Sequence, residues 1–300
     1  MPDNTQNTAN TAGGGNAVPR ITGLLLLEVR KSNPNGDPER EGAPRQRTDG
    51  FGEISPVSVK RKLRDLVEDK NGVVWQEVAN GHVATSFDIL ESRGRDRNEI
   101  KRLTPDAFAK RFWDARLFGN TFLEEEAGSS IRTGVVHFGV GVSLAPIEIE
   151  LSTWTNKAGV QDGKDRGMAP LAFKVVRHTL YAVPFFVNPN FAHKTGCAKQ
   201  DVELFLKLLK YAYTNTPSVI RTQVNVIHAH TFTHNSRAGS LPDYLFLDAL
   251  TPAKLEKPSE SLADYKDLAE KQWDKIKDKS IREGAPQKFG ALGTYQDYAL

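Results

Sequence analysis

Hydrophobic positions follow two rhythms along this chain. ITGLLLLEVR, residues 21–30, is a short apolar run bounded by polar residues, which predicts a buried strand. SPVSVKRKLRDLVEDKNG sets Val59, Leu63, Leu66 and Val67 at helical spacing and stops at Asn71-Gly72. TPDAFAKRFWDARLFGN predicts a second helix, with Thr104 as N-cap, Pro105 first in the helix, and Phe108, Phe112 and Ala115 on one face. VVHFGVGVSL and IEIELSTW read as strands, and LAFKVVRHTLYAVPFFV as another with a break at Pro184. KQDVELFLKLLKYAY is an amphipathic helix, TQVNVIHAHTFTH and LPDYLFLDAL complete the β content, and a charged surface helix is expected from Ser259 to Lys279. The order strand–helix–helix–strand–strand–strand–helix–strand predicts an α+β fold, such as a ferredoxin-like core carrying insertions.

Between the first strand and the first helix lies KSNPNGDPEREGAPRQRTDGFG, residues 31–52, with four glycines, three prolines and three arginines. A connection this long without structure of its own is usually functional or disordered. Residues 1–20, rich in Asn, Thr and Gly, read as a disordered tail, and 21–300 as one domain.

Composition narrows the classes. At 39% hydrophobic and 26% charged, the chain can bury a real core. Its net charge is only +3, which does not by itself demand a nucleic-acid partner. The charge is nonetheless uneven: Arg30–Arg64 holds nine basic and five acidic residues, and Arg221–Arg237 has two arginines, three histidines and no acid. The lone Cys197 excludes an intramolecular disulfide and a multi-thiolate zinc site, and fits a reducing cytoplasm. No apolar run approaches the roughly 20 residues of a membrane span, and the N-terminus does not read as a signal peptide. No Walker loop, G-x-S-x-G or catalytic-cysteine context is present, so no catalytic residue is assigned. His228, His230 and His234 share one parity on a strand, but no clustered acid stands beside them in sequence, and no metal is expected.

S-N-P-N-G-D-P after the first strand, Pro44-Arg45, the G-x-G at Gly50 and Gly52, and V-x-x-K-R-K-x-R together resemble one family. ARLFGN at 115–120, IRTGVVHFGV at 131–140, LYAVPFFVNPNFAHKTG at 180–196, and HNSRAG with LFLDAL at 234–250 follow in the same order. The resemblance is to the backbone subunit of type I CRISPR effector complexes (Cascade), in the Csd/Csh branch of the RAMP superfamily. It implies an RRM-like palm with inserted finger and thumb elements, here placed at about 73–103 and about 154–172. It further implies a non-catalytic subunit that polymerises head to tail as a helical filament along guide RNA (crRNA). Such a subunit works with other Cascade subunits and supports guide pairing with target DNA in antiviral defence, a division in which the protein reads backbone geometry and base pairing reads sequence.

Against that background, Asn35 and Gly36 are candidates to approach RNA phosphates, although Pro-Asn-Gly-Asp is also good turn chemistry. Arg45 belongs to the same loop block. Lys60, Arg61 and Arg64 on the first helix are either a solvated face or a cationic stripe for a phosphate chain, and the resemblance favours RNA. Arg132 opens a strand as an edge charge or an RNA contact. Lys174, Arg177 and His178 interrupt an apolar strand on what reads as its solvated face, an RNA platform. His234, Asn235 and Arg237 are structural or RNA-adjacent. Met168 is either incidental to a mobile loop at 155–171 or a wedge beside a displaced base. In the related type III branch an aspartate in the equivalent first loop cuts target RNA, so Asp37 seeds the alternative of a RAMP-type endoribonuclease. A lone carboxylate is a poor divalent-ion site, which favours the turn.

Overall fold

The computed structural model describes residues 16–79, 86–120, 132–157, 168–268 and 292–300. The tail to residue 15, and most of the expected C-terminal helix, lie outside them. Leu24 to Leu27 are all buried in β1 (Ile21–Ser32), because the strand is covered on both faces, and such strands read as continuous apolar runs. β1 pairs antiparallel with β6 (Met168–Val187) on one side and β7 (Val224–His234) on the other.

Around this centre the eight-stranded sheet runs β8 (Gly293–Asp297), β7, β1, β6, β4 (Gly141–Pro146), β2 (Phe51–Ile54). The length of β6 lets it also take β3 (Val136–Phe138) at one end and β5 (Ile149–Lys157) at the other. Every pairing in this sheet is antiparallel.

Two helices cover one face. α1 (Pro56–Glu68) is capped by Ser55, and α6 (Lys199–Leu208) follows β6. Val59, Leu63, Leu66 and Val67 of α1 meet Ile21, Leu25 and Leu27 of β1 and Phe205 of α6 in the larger core. Phe138, Phe185 and Phe205 form its aromatic centre, with centroids 5.6–5.9 Å apart. The opposite face is covered by α7 (Asp243–Leu250) and the segment running to Leu268, through Leu24, Leu26, Leu180, Phe232, Phe246, Leu250 and Tyr265.

Several expectations are corrected. The helix expected from Thr104 is two, α4 (Pro105–Arg111) and α5 (Trp113–Phe118), with Phe112 extended between them at φ −97°, ψ 103°. Asp88 causes the interruption: its N–H donates to Arg111 O and its carbonyl accepts from Trp113 N, both at 3.0 Å. Pro184 does not break its strand. Its carbonyl, and so its missing N–H, faces Gly139, where the neighbouring edge is already interrupted between β3 and β4. LPDYLFLDAL forms α7 rather than a strand, with Pro242 before it, Asp243 in its first turn, and Phe246 and Leu250 stacked one turn apart in the core. Ser259–Leu268 is a loop with a 3₁₀ turn at Leu262–Asp264, not the start of a helix.

The polar stretch 73–103 supplies core residues. α2 (Val73–Val78) buries Val74 and Trp75, while Ile100 of α3 (Arg97–Lys101) joins Leu90 and Phe112 in a small satellite cluster. No described helix is long and apolar enough to cross a membrane. Truncating Phe205 to Ala removes the ring common to the aromatic centre and should cost about 3–5 kcal/mol, read as a lowered urea midpoint at unchanged m-value.

Candidate nucleic-acid interface

The opening loop is ordered by its own turn chemistry. Gly36–Asp37 and Ala43–Pro44 pair as a miniature hairpin. Asp37 caps a 3₁₀ turn at Pro38–Arg40, its carboxylate accepting from Glu39 N at 3.2 Å. Glu41 and Gly42 then reverse the chain at φ 54° and 75°. A Cβ at Gly36 would stand 2.9 Å from Gly42 O, so that position requires glycine. Asn33 is buried and donates to Gly42 O at 2.7 Å. Asn35 Oδ1 accepts the N–H of Ser55, the α1 cap residue, at 2.7 Å. Both asparagines thus tie the loop to its surroundings, and Asn35 couples it to α1.

On α1 the four cations of KRKLR separate. Arg61 is occupied by Asp65, Glu68 and the carbonyl of Glu91. Arg64 turns inward, 2.8 Å from the buried Asp114, so it does not share a solvated face with Lys60. Asp114 also accepts from Leu90 N at 2.7 Å, which makes the pair a clamp between α1, α5 and the stretch before α3. Lys60 has no carboxylate partner among the described residues and lies 5.4 Å from the centre of the Phe118 ring. Burial first, and Arg64 second, lower its pKa from the usual lysine range.

Lys62, in the middle of the same run, is the cation that helical spacing does not single out. It reaches Thr216 O at 3.2 Å, and burial, then Arg221, pulls its pKa to about 8. Near it, the Nε of Arg221 and the hydroxyl of Ser218 are buried without partners. The acid-free composition from Arg221 onward is the only hint of this in the sequence. His137 is equally unmarked there. Burial, then Lys60, holds its pKa below the ordinary histidine range. Lys60, Lys62 and Arg221 therefore give the α1 side a positive field, with little compensation from acids among the described residues.

The other candidates scatter. Arg45 lies 3.7 Å from Asp37, with its Nε buried and unpartnered. Lys174 pairs with Glu41 at 3.1 Å, and Arg177 with Glu148, Glu150 and Glu260. His178 does not face solvent: it is buried between Glu28 and Ser259, whose Oγ lies 2.9 Å from its Nδ1. His234 is buried too. Its Nδ1 accepts from Ser240 N at 3.1 Å, which leaves Nε2–H to donate to Thr22 Oγ1 at 2.9 Å. Arg237 donates to Val18 O at 3.2 Å, and the backbone N–H of Asn235 to Leu292 O at 2.9 Å. Arg132 sits in a two-residue strand opposite Asn120, and Met168 opens β6 opposite Lys157. The expected loop at 155–171 is thus partly hairpin, while 158–167 lies outside the described residues.

The sequence profile of the family described as CRISPR-associated protein Cas7 matches residues 19–270. The chain belongs to the Cas7 family. Two solved structures are similar in fold to this Cas7-family chain. One, titled "CRISPR RNA-guided surveillance complex, pre-nicking", has 15% identity and a TM-score of 0.53, over 88% of this chain and 89% of that one. The other, "CRISPR RNA-guided surveillance complex", has 16% identity and a TM-score of 0.50, over 88% of this chain and 84% of that one. No curated protein matches the sequence.

The Arg64–Asp114 pair separates architecture from surface charge. Asp114→Ala should lose about 3–5 kcal/mol by stranding a buried guanidinium, whereas Lys60→Glu should leave the thermal midpoint nearly unchanged. A second expectation concerns acid. Burial is the leading cause that depresses the pKa of His137, His178 and His234 below 6.5. The unfolded chain therefore takes up these protons first as pH falls, and their contribution is complete above about pH 6.5 and lost through the lower folded values. Urea midpoints should drop from about pH 7.5 to about pH 5, and His178→Gln should flatten that slope.

Proposed function

We propose that this chain is a non-catalytic backbone subunit of a type I CRISPR surveillance complex, binding crRNA and repeating head to tail along it. The observation that carries this reading is the set of cations, Lys60, Lys62 and Arg221, that have no ion-pair partner among the described residues on the α1 side of a Cas7-family fold. A phosphate chain laid there supplies the counter-charge that the protein lacks. Arg45 adds a further partly occupied cation from the opening loop. Arg132 and Met168 remain guide contacts by proposal, the second as an apolar wedge on a thumb at about 154–172.

The strand order β7–β1–β6–β4, with α1 after β1 and α6 after β6, supports an RRM-like core with a finger at 73–103. Ordinary RRMs stack bases on the sheet face away from their helices. Here α7 and the segment to Leu268 cover that face and bury His178 against Ser259, which favours RNA at the α1 side over the sheet platform. In this reading the guide pairs with target DNA while the protein holds its backbone, the other Cascade subunits complete the complex, and the assembly acts in the cytoplasm. Repetition along RNA requires a heterologous interface, since a two-fold one closes into dimers.

The capping and ion-pair contacts of Asp37 support a turn role over the endoribonuclease alternative. Lys60→Glu with Lys62→Glu should weaken guide binding uniformly across spacer sequences and flatten the salt dependence by roughly 0.7 in slope for each phosphate no longer neutralised. Oligomer length should follow RNA length. Selective loss of only some guides, or a dimer of fixed size on every RNA, overturns the reading. Complementary RNA incubated with the assembly and Mg²⁺ or Mn²⁺ should stay intact. Regular cuts that vanish in Asp37→Ala establish the alternative.

A further inference from the structure

Histidines two apart on a strand project to the same side, and β7 places His228 and His230 in this way. Sequence offered them no acid. The fold supplies one from 69 residues away: β8 sets Asp297 opposite His230 in the antiparallel register. Asp297 Oδ2 lies 2.7 Å from His228 Nδ1 and 3.6 Å from His230 Nδ1. Its other oxygen accepts the N–H groups of Ala229 and Ala299 at 2.9 and 3.0 Å. The carboxylate is thereby fixed with one oxygen turned towards both imidazoles. Tyr295 adds a hydroxyl 2.8 Å from His230 Nδ1. Among the described residues this is the one group of three potential ligands whose donor atoms all lie within 4.8 Å.

We propose that His228, His230 and Asp297 bind one divalent transition ion of the zinc type, fastening β8 to β7. Two imidazole nitrogens and a carboxylate oxygen are a donor set that zinc accepts, with bonds of about 2.0–2.2 Å. Tetrahedral ligands at such bond lengths lie roughly 3.3 Å apart, a separation the 2.7 and 3.6 Å distances straddle. The two rings are stacked, 4.7 Å apart and 14° from parallel, so one must turn about its Cβ–Cγ bond to aim at a shared ion. His228, a fifth exposed, is the ring with room to do so. His230 Nε2 has no hydrogen-bond partner, so no bond on its far side locks that ring. The Tyr295 oxygen or a water entering past His228 completes the coordination. The ion takes the place of the hydrogen bond between His228 Nδ1 and Asp297, and the neutral ring then carries its proton on Nε2.

The experiment uses the full chain without RNA, so its outcome is independent of the guide-binding reading. Chelator-treated protein is dialysed against Zn(II) and the bound metal counted, then loaded with Co(II) and examined for the visible absorption of a tetrahedral site. Wild type should hold one zinc per chain and show the cobalt band. His228→Gln and Asp297→Asn should each weaken zinc binding by about 100-fold or more, while His193→Gln, on the surface elsewhere, should bind as wild type. Zinc should also raise the thermal midpoint of wild type and not of His228→Gln. His228 is the least buried of the three ligands, so its variant carries the comparison if Asp297→Asn loses β8. Wild type without zinc, or equal zinc in wild type and folded His228→Gln, overturns the proposal and leaves a hydrogen-bonded cluster.

Discussion

The pairing of β1 with β6 and β7 is the constraint from which the remainder follows. A strand flanked by two neighbours and buried on both faces admits no water to any backbone group, so each N–H and C=O needs a partner in the ladder. That requirement explains the register running unbroken from Ile21 opposite Val187 to Arg30 opposite His178. It also explains why two unlike layers, helices on one side and α7 with an extended segment on the other, are both needed. Slipping the register by one residue would exchange Leu24 and Leu26 with Leu25 and Leu27, and neither layer would then meet the side chains it is shaped for.

What the sequence made legible was local. A continuous apolar run can only be a doubly covered strand or a buried helix, and flanking polar residues settled ITGLLLLEVR as the strand. Thr104 announced a helix start that the structure bears out. The misreadings arose where a long-range contact overruled a local pattern. Asp88 splits the helix at Phe112, although nothing within four residues signals it. LPDYLFLDAL, apolar and aromatic, resembles a strand until Phe246 and Leu250 find the core one turn apart.

The candidate interface was legible to a lesser degree for the same reason. Spacing put Lys60 and Arg64 on a common helical face, but their fates depend on an acid 50 residues away that claims only one of them. Lys62 looked like one more charge in a run, yet Thr216 and Arg221 give it a distinct setting. His228 and His230 were visible as a pair while Asp297 was not, because strand pairing rather than sequence distance decides which side chains meet. Family order in the motifs carried information that no single block held, and the profile match over residues 19–270 agrees with it.

One consequence of the α7 layer lies in how the molecule can meet others. Because its own segment 243–268 lies across the second face of the sheet, neither broad surface of the domain is left as an open plane. Anything that approaches from that side meets the side chains of an added layer instead of the ribs of the sheet, so the strands there serve as a floor for the chain's own later residues.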